Sequence, residues 1–131
     1  MMEAKVFRTS DAADVSFEEI KVWFDARGWA QVTQEILPEI GIWVPGFAAL
    51  FLYQTDSPLG WMEWAVTNPV ADAIKRREAL DLCIDECIRK AKEVGIKVLL
   101  SSLNHERLIE RYKSKGFAAT DVGMTNMART I

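Results

Sequence analysis

The chain has 131 residues, half of them hydrophobic, 10% aromatic and 27% charged, a composition that fits one globular domain and excludes a long disordered tail. Sixteen Lys and Arg against nineteen Asp and Glu leave a net charge of −3, which excludes the uniformly basic profile of a dedicated nucleic-acid binder. The charge is unevenly placed: residues 1–70 carry four basic and ten acidic side chains, a net −6, and residues 71–131 carry twelve and nine, a net +3, so any anionic ligand is expected at the second half.

In chain order, residues 5–8 (Lys-Val-Phe-Arg) read as a short edge strand. Ser16 followed by Glu19 is the spelling of a capping box, and Phe17, Ile20, Trp23 and Phe24 recur at helical spacing up to Gly28, which predicts a helix over about 17–27. Ile42-Trp43-Val44, the turn Pro45-Gly46 and the apolar run from Phe47 to Tyr53 predict two adjacent strands. Residues 55–60 read as a turn-rich loop, and 61–67 as a third strand stopped by Asn68-Pro69, giving an antiparallel meander. A long helix is expected from Ala71 or Ile74 to Val94, with Leu80, Ile84, Cys87, Ile88 and Ala91 on its apolar stripe and Gly95 closing it. Residues 96–101 then form a buried-type strand parallel to the one before the helix, a β-α-β unit. A helix over about 105–115 ends at Gly116, and residues 117–129, around Asp121-Val122-Gly123, predict one or two final strands. The fold class is therefore α/β in the broad sense (α+β): one domain with a single mixed, mostly antiparallel sheet flanked by helices.

Cys83 and Cys87 are four apart on that long helix and share a face; without a CxxC pair or a second His beside His105, they read as two buried core thiols in a reducing compartment and not as a zinc site or disulfide framework. No metal is expected. The N-terminus lacks an apolar signal core and no stretch approaches the roughly 18 apolar residues of a membrane span, which points to a soluble cytoplasmic protein with no membrane partner.

The segment from Val98 to Phe117, with Tyr112-Lys113-Ser114-Lys115-Gly116-Phe117 at its end, resembles the GNAT acetyltransferase superfamily, whose second conserved motif ends Tyr-x-x-x-Gly-Phe. The order of strands and helices is similar to that family over nearly the whole chain. The resemblance implies an N-acetyltransferase in which acetyl-CoA lies where the strand ending near Val66 parts from the strand beginning at Ile96, and an acceptor amine attacks the thioester directly. It implies that Tyr112 protonates the departing thiolate, because a phenol of pKa about 10 suits a basic leaving group. It also implies a carboxylate base on the strand before the long helix, where Glu63 stands. With a strand period of two, Glu63 is expected to share a face with Trp61, Ala65 and Thr67, away from Met62, Trp64 and Val66. A carboxylate between two tryptophans is a candidate for a raised pKa; the competing reading is a solvent-facing Glu.

The chain departs from the family at the pyrophosphate loop, R/Q-x-x-G-x-G/A. Lys75-Arg76-Arg77-Glu78-Ala79-Leu80 aligns with it when counted back from Gly95, so Glu78 and Leu80 replace the small residues that let backbone N–H groups reach the phosphates. Cofactor binding then leans on the charges of Lys75, Arg76 and Arg77. Asn104 and His105 stand where the family often has a pantetheine-contacting Asn. The compact length and degenerate loop resemble small acyltransferase-like proteins carried by phages. Trp23, Trp29, Glu35 and Glu39 hint at an amine-bearing acceptor, a small molecule or a peptide, and the exposed strand edges fit a homodimer. The alternative left open is a GNAT-like binding or structural protein that has lost the cofactor.

Overall fold

The structure, a computed structural model, describes residues 2–11 and 16–131, apart from the side chain of Ser16. Five strands, β1 (Lys5–Arg8), β2 (Ile40–Val44), β3 (Ala48–Gln54), β4 (Leu59–Thr67) and β5 (Val98–Leu100), form one sheet in sequential order. The first four pair antiparallel and β5 pairs parallel to β4. Three helices, α1 (Ser16–Ala26), α2 (Ala73–Glu93) and α3 (Glu106–Ser114), join a 3-10 turn at Gln34–Ile36. A parallel neighbour needs a crossover that returns the chain to the start of the sheet, and α2, with 21 residues, spans ~31 Å, ample for that return.

The sheet divides two apolar layers. On one side Ile20, Trp23 and Phe24 of α1 pack on Phe7, Phe51 and Val66. On the other, Leu80, Cys83, Ile84 and Cys87 of α2 and Tyr112 of α3 pack on Ile42, Leu50, Leu52 and Met62. The continuous apolar run of β3 is explained by its place mid-sheet, where both faces are covered. Ser16's part in the capping box lies outside the described residues; the Glu19 carboxylate accepts from the Gly46 backbone N–H at 2.5 Å, tying α1 to the β2–β3 turn.

Three expectations are corrected. β4 begins at Leu59, two residues before the predicted start, because Gly60 is a strand residue: a Cβ there would meet Ile96 Cδ1 at 2.5 Å and the Tyr53 carbonyl at 2.9 Å, so only glycine lets Ile96 cross as β5 approaches. β5 is three residues long, not six; the backbone N–H groups of Lys97 and Val98 both go to the Pro58 carbonyl, and the Ser101 hydroxyl goes to the Met62 carbonyl. Residues 117–131 form no strand. Val122, Met124, Met127 and Ile131 are between 73% and 105% exposed, so the segment has no layer to bury them against and no burial to offset the entropy of ordering it.

Cys83 and Cys87 are fully buried and unbridged, and burial pushes both thiols up to about 12. Neither thiol is therefore expected to react with iodoacetamide in the folded protein at pH 8, and both are expected to react in denaturant; intact-mass spectrometry distinguishes the two states, and rapid native alkylation would contradict the packing.

Candidate active site

β4 and β5 part company early. Their pairing covers Leu59 with Val98, Gly60 with Leu99 and Trp61 with Leu100, after which, among the described residues, β4 continues through Met62–Thr67 with no strand partner on that edge, the Met62 carbonyl being taken by the Ser101 hydroxyl. The other backbone groups of that stretch are open to a ligand, as any unpaired strand edge is. A bulge adds to the divergence. Ala49 pairs with Val66 but Phe51 with Glu63, so β4 carries one extra residue, and Trp64 sits there at φ +60, a left-handed conformation costly for a bulky side chain. Trp64 is held by a 2.8 Å hydrogen bond from its Nε1 to the Tyr53 hydroxyl and by edge-on packing on Trp29, centroids 5.6 Å apart.

The bulge overturns the simple alternation read from the sequence. Met62 and Ala65 face the α2 layer while Trp64 and Val66 face the α1 layer, so Ala65 does not share a face with Glu63, nor does Met62 share one with Trp64 and Val66. Glu63, opposite Phe51, lies half-buried at the mouth of the opening. Its Oε1 accepts from the Ser102 backbone N–H at 2.7 Å. Burial raises its pKa above the usual carboxylate value, and the Ser102 bond opposes part of that rise.

Tyr112 reaches the same place from α3. It is 4% exposed, packed at 5.2 Å on the Phe117 ring. Burial raises its phenol above its ordinary value; the Ser101 hydroxyl beside it opposes this, and the charge of Glu63 adds to it. The two residues expected to be catalytic thus come together around Ser101 and Ser102, which sequence reasoning did not single out. Their signal was only indirect: polar residues ending an apolar strand.

What places Tyr112 was also missed. Arg111 Nη1 binds Asp81 Oδ1 at 2.7 Å and the Arg77 carbonyl at 3.3 Å, and Lys115 binds Asp85 at 2.9 Å, fastening α3 along α2. Apolar spacing within one helix cannot show which charges meet across two.

The residues expected to hold cofactor divide. α2 starts at Ala73, so of Lys75–Leu80 only Lys75 belongs to the helix's first N–H groups; from Arg76 onward the N–H groups bond within the helix. The Lys75 N–H is taken by the Asp72 carboxylate at 3.0 Å and the Arg76 N–H by the Asp72 carbonyl at 2.9 Å. Ala79 and Leu80 are buried in the core, as is the side chain of Val66, which leaves only Val66's backbone toward the opening. Lys75, Arg77 and Glu78 are exposed, and Arg76 is tied to the Pro69 carbonyl at 3.3 Å. Asn104 and His105 are exposed at the start of α3, where His105 is the N-cap residue but its side chain makes no cap bond. Trp23 is buried under the sheet, Trp29 is half-buried against Phe24 and Trp64 with the Arg27 guanidinium 4.7 Å from its ring centroid, and Glu39 is occupied by Arg8 and Ser10. Among the described residues, no three His, Cys, Asp or Glu side chains gather at a metal-holding distance, and no helix is long and apolar enough to cross a membrane.

Comparison with solved structures places this architecture. The chain superposes on a GNAT-family acetyltransferase from Streptococcus pneumoniae with a TM-score of 0.70 at 18% identity, over 99% of this chain and 100% of that one. It also superposes on an aminoglycoside acetyltransferase from an uncultured soil metagenomic sample (TM-score 0.64, 13% identity, 99% of each chain). A third match is glucosamine-6-phosphate N-acetyltransferase from Arabidopsis thaliana (TM-score 0.60, 12% identity, 95% of this chain and 97% of that one). No protein-family model and no curated protein sequence matches. The chain has the fold of the GNAT acetyltransferases, a mixed five-stranded sheet flanked by three helices.

Because its folded pKa is raised from 4.5, Glu63 binds its proton more tightly in the folded state, so its favourable contribution is complete below about pH 4.5 and is lost as pH rises through the folded value. Glu63→Gln removes this dependence. The difference in unfolding free energy between the Gln variant and the parent is expected to shift in favour of the variant across that window, read from urea denaturation at successive pH values; a flat difference would show that Glu63 is not desolvated.

Proposed function

We propose that this chain is an acetyl-CoA-dependent N-acetyltransferase that transfers an acetyl group to an acceptor amine by direct attack. The observation that carries this reading is the early end of the β4–β5 pairing, with the Glu63 carboxylate bonded to the Ser102 N–H where the strands part and Tyr112 buried beside the adjoining Ser101. The edge of Glu63–Thr67 beyond β5 offers backbone N–H and C=O groups for a pantetheine arm, a role open to Val66 through its backbone alone, with the exposed Asn104 and His105 at the start of α3 as further polar groups. Acetyl-CoA, when bound, supplies an activated acetyl thioester whose carbon–sulfur bond is exchanged for a carbon–nitrogen bond.

Each residue's task follows from its surroundings. Glu63, a base strengthened by burial, accepts the proton that the attacking amine must lose. Tyr112, kept protonated by the same low-dielectric setting, holds a proton at its phenol oxygen for the departing sulfur. Ser101, bonded to the Met62 carbonyl at 2.6 Å, and the Ser102 N–H on Glu63 fix both groups to the ends of the two strands. Lys75 and Arg77, exposed on the first turns of α2, provide charge for phosphates in place of the backbone cradle, with Arg76 beside them.

A second reading, a binding or structural protein of the same fold that has lost its cofactor, draws support from Asp72. Its carboxylate occupies the helix terminus that a pyrophosphate would approach and adds a negative charge there.

Calorimetric titration separates the two: acetyl-CoA is expected to bind, more weakly as salt rises because the contacts are exposed charges, and about tenfold more weakly in Lys75→Ala/Arg77→Ala. No heat at millimolar acetyl-CoA would leave the second reading. Tyr112→Phe is expected to keep the acetyl-CoA affinity and lower kcat by roughly 10²–10⁴. The pH profile of kcat/KM is expected to rise through the elevated Glu63 pKa, a limb that Glu63→Gln abolishes, and to hold past neutrality because Tyr112 stays protonated.

A further inference from the structure

Tyr53 of β3 stands opposite Trp61 of β4, and the next pair facing the same side of the sheet is Phe51 with Glu63. Tyr53 and Glu63 are therefore diagonal neighbours, ~7–8 Å apart by the spacing of such positions. The half-buried Tyr53 hydroxyl is used twice. It accepts from Trp64 Nε1 at 2.8 Å and donates to the Ile36 carbonyl at 3.0 Å, which joins the β4 bulge to the 3-10 turn at Gln34–Ile36. Burial raises the phenol, the Trp64 bond opposes that rise, and the charge of Glu63 adds to it.

The bulge needs such a partner. A bulky residue at φ +60 is strained and keeps that backbone only where its surroundings over-determine it. Trp64 has two holds, the ring of Trp29 at 5.6 Å between centroids and the hydroxyl of Tyr53. A ring contact tolerates sliding, whereas the hydrogen bond fixes one atom of the indole in distance and angle. Glu63 precedes Trp64 in the chain, so the turn of the backbone at the bulge sets the direction in which the carboxylate leaves β4, and the Ser102 N–H receives it at 2.7 Å.

We propose that Tyr53 is a positioning residue: through Trp64 its hydroxyl holds the bulge in its left-handed turn, and the bulge fixes the Glu63 carboxylate where β4 and β5 part. On the acetyl-transfer reading, on which the functional side of this role rests, Tyr53 touches neither the amine nor the thioester and acts only by keeping the base in place.

The first measurement needs neither substrate nor cofactor. Tyr53→Phe removes one oxygen from a half-buried side chain and keeps the ring, so the fold is retained. The Glu63 titration, followed by NMR of its carboxyl carbon, is expected to move down toward the ordinary carboxylate value as the loosened bulge admits water, and the Trp64 indole N–H to exchange about tenfold faster. Tyr53 from β3 and Tyr112 from α3 are the titratable groups that feel the Glu63 charge; both phenols are raised and stay protonated across that range, so neither supplies the shift. In a Trp64→Phe background, which keeps a ring beside Trp29 but lacks the donor, Tyr53→Phe is expected to add nothing further. An equal shift in both backgrounds would show that the hydroxyl acts on Glu63 directly, and would overturn the role. In acetyl-CoA hydrolysis, with water in place of the amine, kcat is expected to fall about tenfold in Tyr53→Phe and the acid limb of kcat/KM to move down with the NMR titration. A Glu63 titration that Tyr53→Phe leaves unmoved overturns the role whether or not acetyl-CoA binds. A titration that moves in a protein that binds no acetyl-CoA supports the placement of Glu63 and removes the acetyl-transfer reading instead.

Discussion

The parallel pairing of β4 with β5, and its early end, is the constraint on which the site depends. Three residue pairs join the strands; beyond Trp61 and Leu100 they separate. Gly60 permits the close approach on one side of that point, since Ile96 fills the space a side chain would need. The Trp64 bulge turns β4 away on the other. Ser101 and Ser102 close the seam by bonding Met62 and Glu63, so the two strands are neither continuous nor free of one another there. A wedge of unpaired backbone with a desolvated carboxylate at its apex results.

Tyr112 comes to that apex because α3 lies along α2. The ion pairs between them are partly exposed, and such pairs contribute about 0–1 kcal/mol each. Burying the Tyr112 ring against Phe117 and the α2 layer contributes more, about 1.5–3 kcal/mol for a large apolar side chain. Packing therefore holds the helix down, and Arg111 and Lys115 set its rotation about its own axis. The same burial that stabilises the helix raises the pKa of the phenol, so packing and protonation state draw on one contact.

At the head of α2 the balance differs. A helix N-terminus lined with glycine attracts phosphate through backbone N–H groups, but here Asp72 uses the Lys75 N–H and the following residues are side-chain cations. The attraction of exposed side chains such as Lys75 and Arg77 for an anion is long-ranged and screened by salt, where that of a backbone cradle is short-ranged and geometric.

Much of the fold is legible along the chain because its signals are local. Helical spacing in α1 and α2, the Pro45-Gly46 turn, and the Tyr112–Phe117 motif after a strand and a short helix each depend on neighbours within a few residues. Tyr112 and Glu63 become candidates through the resemblance that this motif carries, not through their own neighbours. The tertiary structure alone decided the rest. The Trp64 bulge that reverses the facing of Ala65 depends on Tyr53 and Trp29, far away in sequence; the length of β5 depends on Pro58, Met62 and Glu63; the start of α2 depends on which oxygen caps it. The apolar tail offers no period-two signal strong enough to predict that nothing would cover it. Periodicity records which residues seek burial, whereas register, bulges and open edges are set by competition between distant partners for the same hydrogen bonds and the same space.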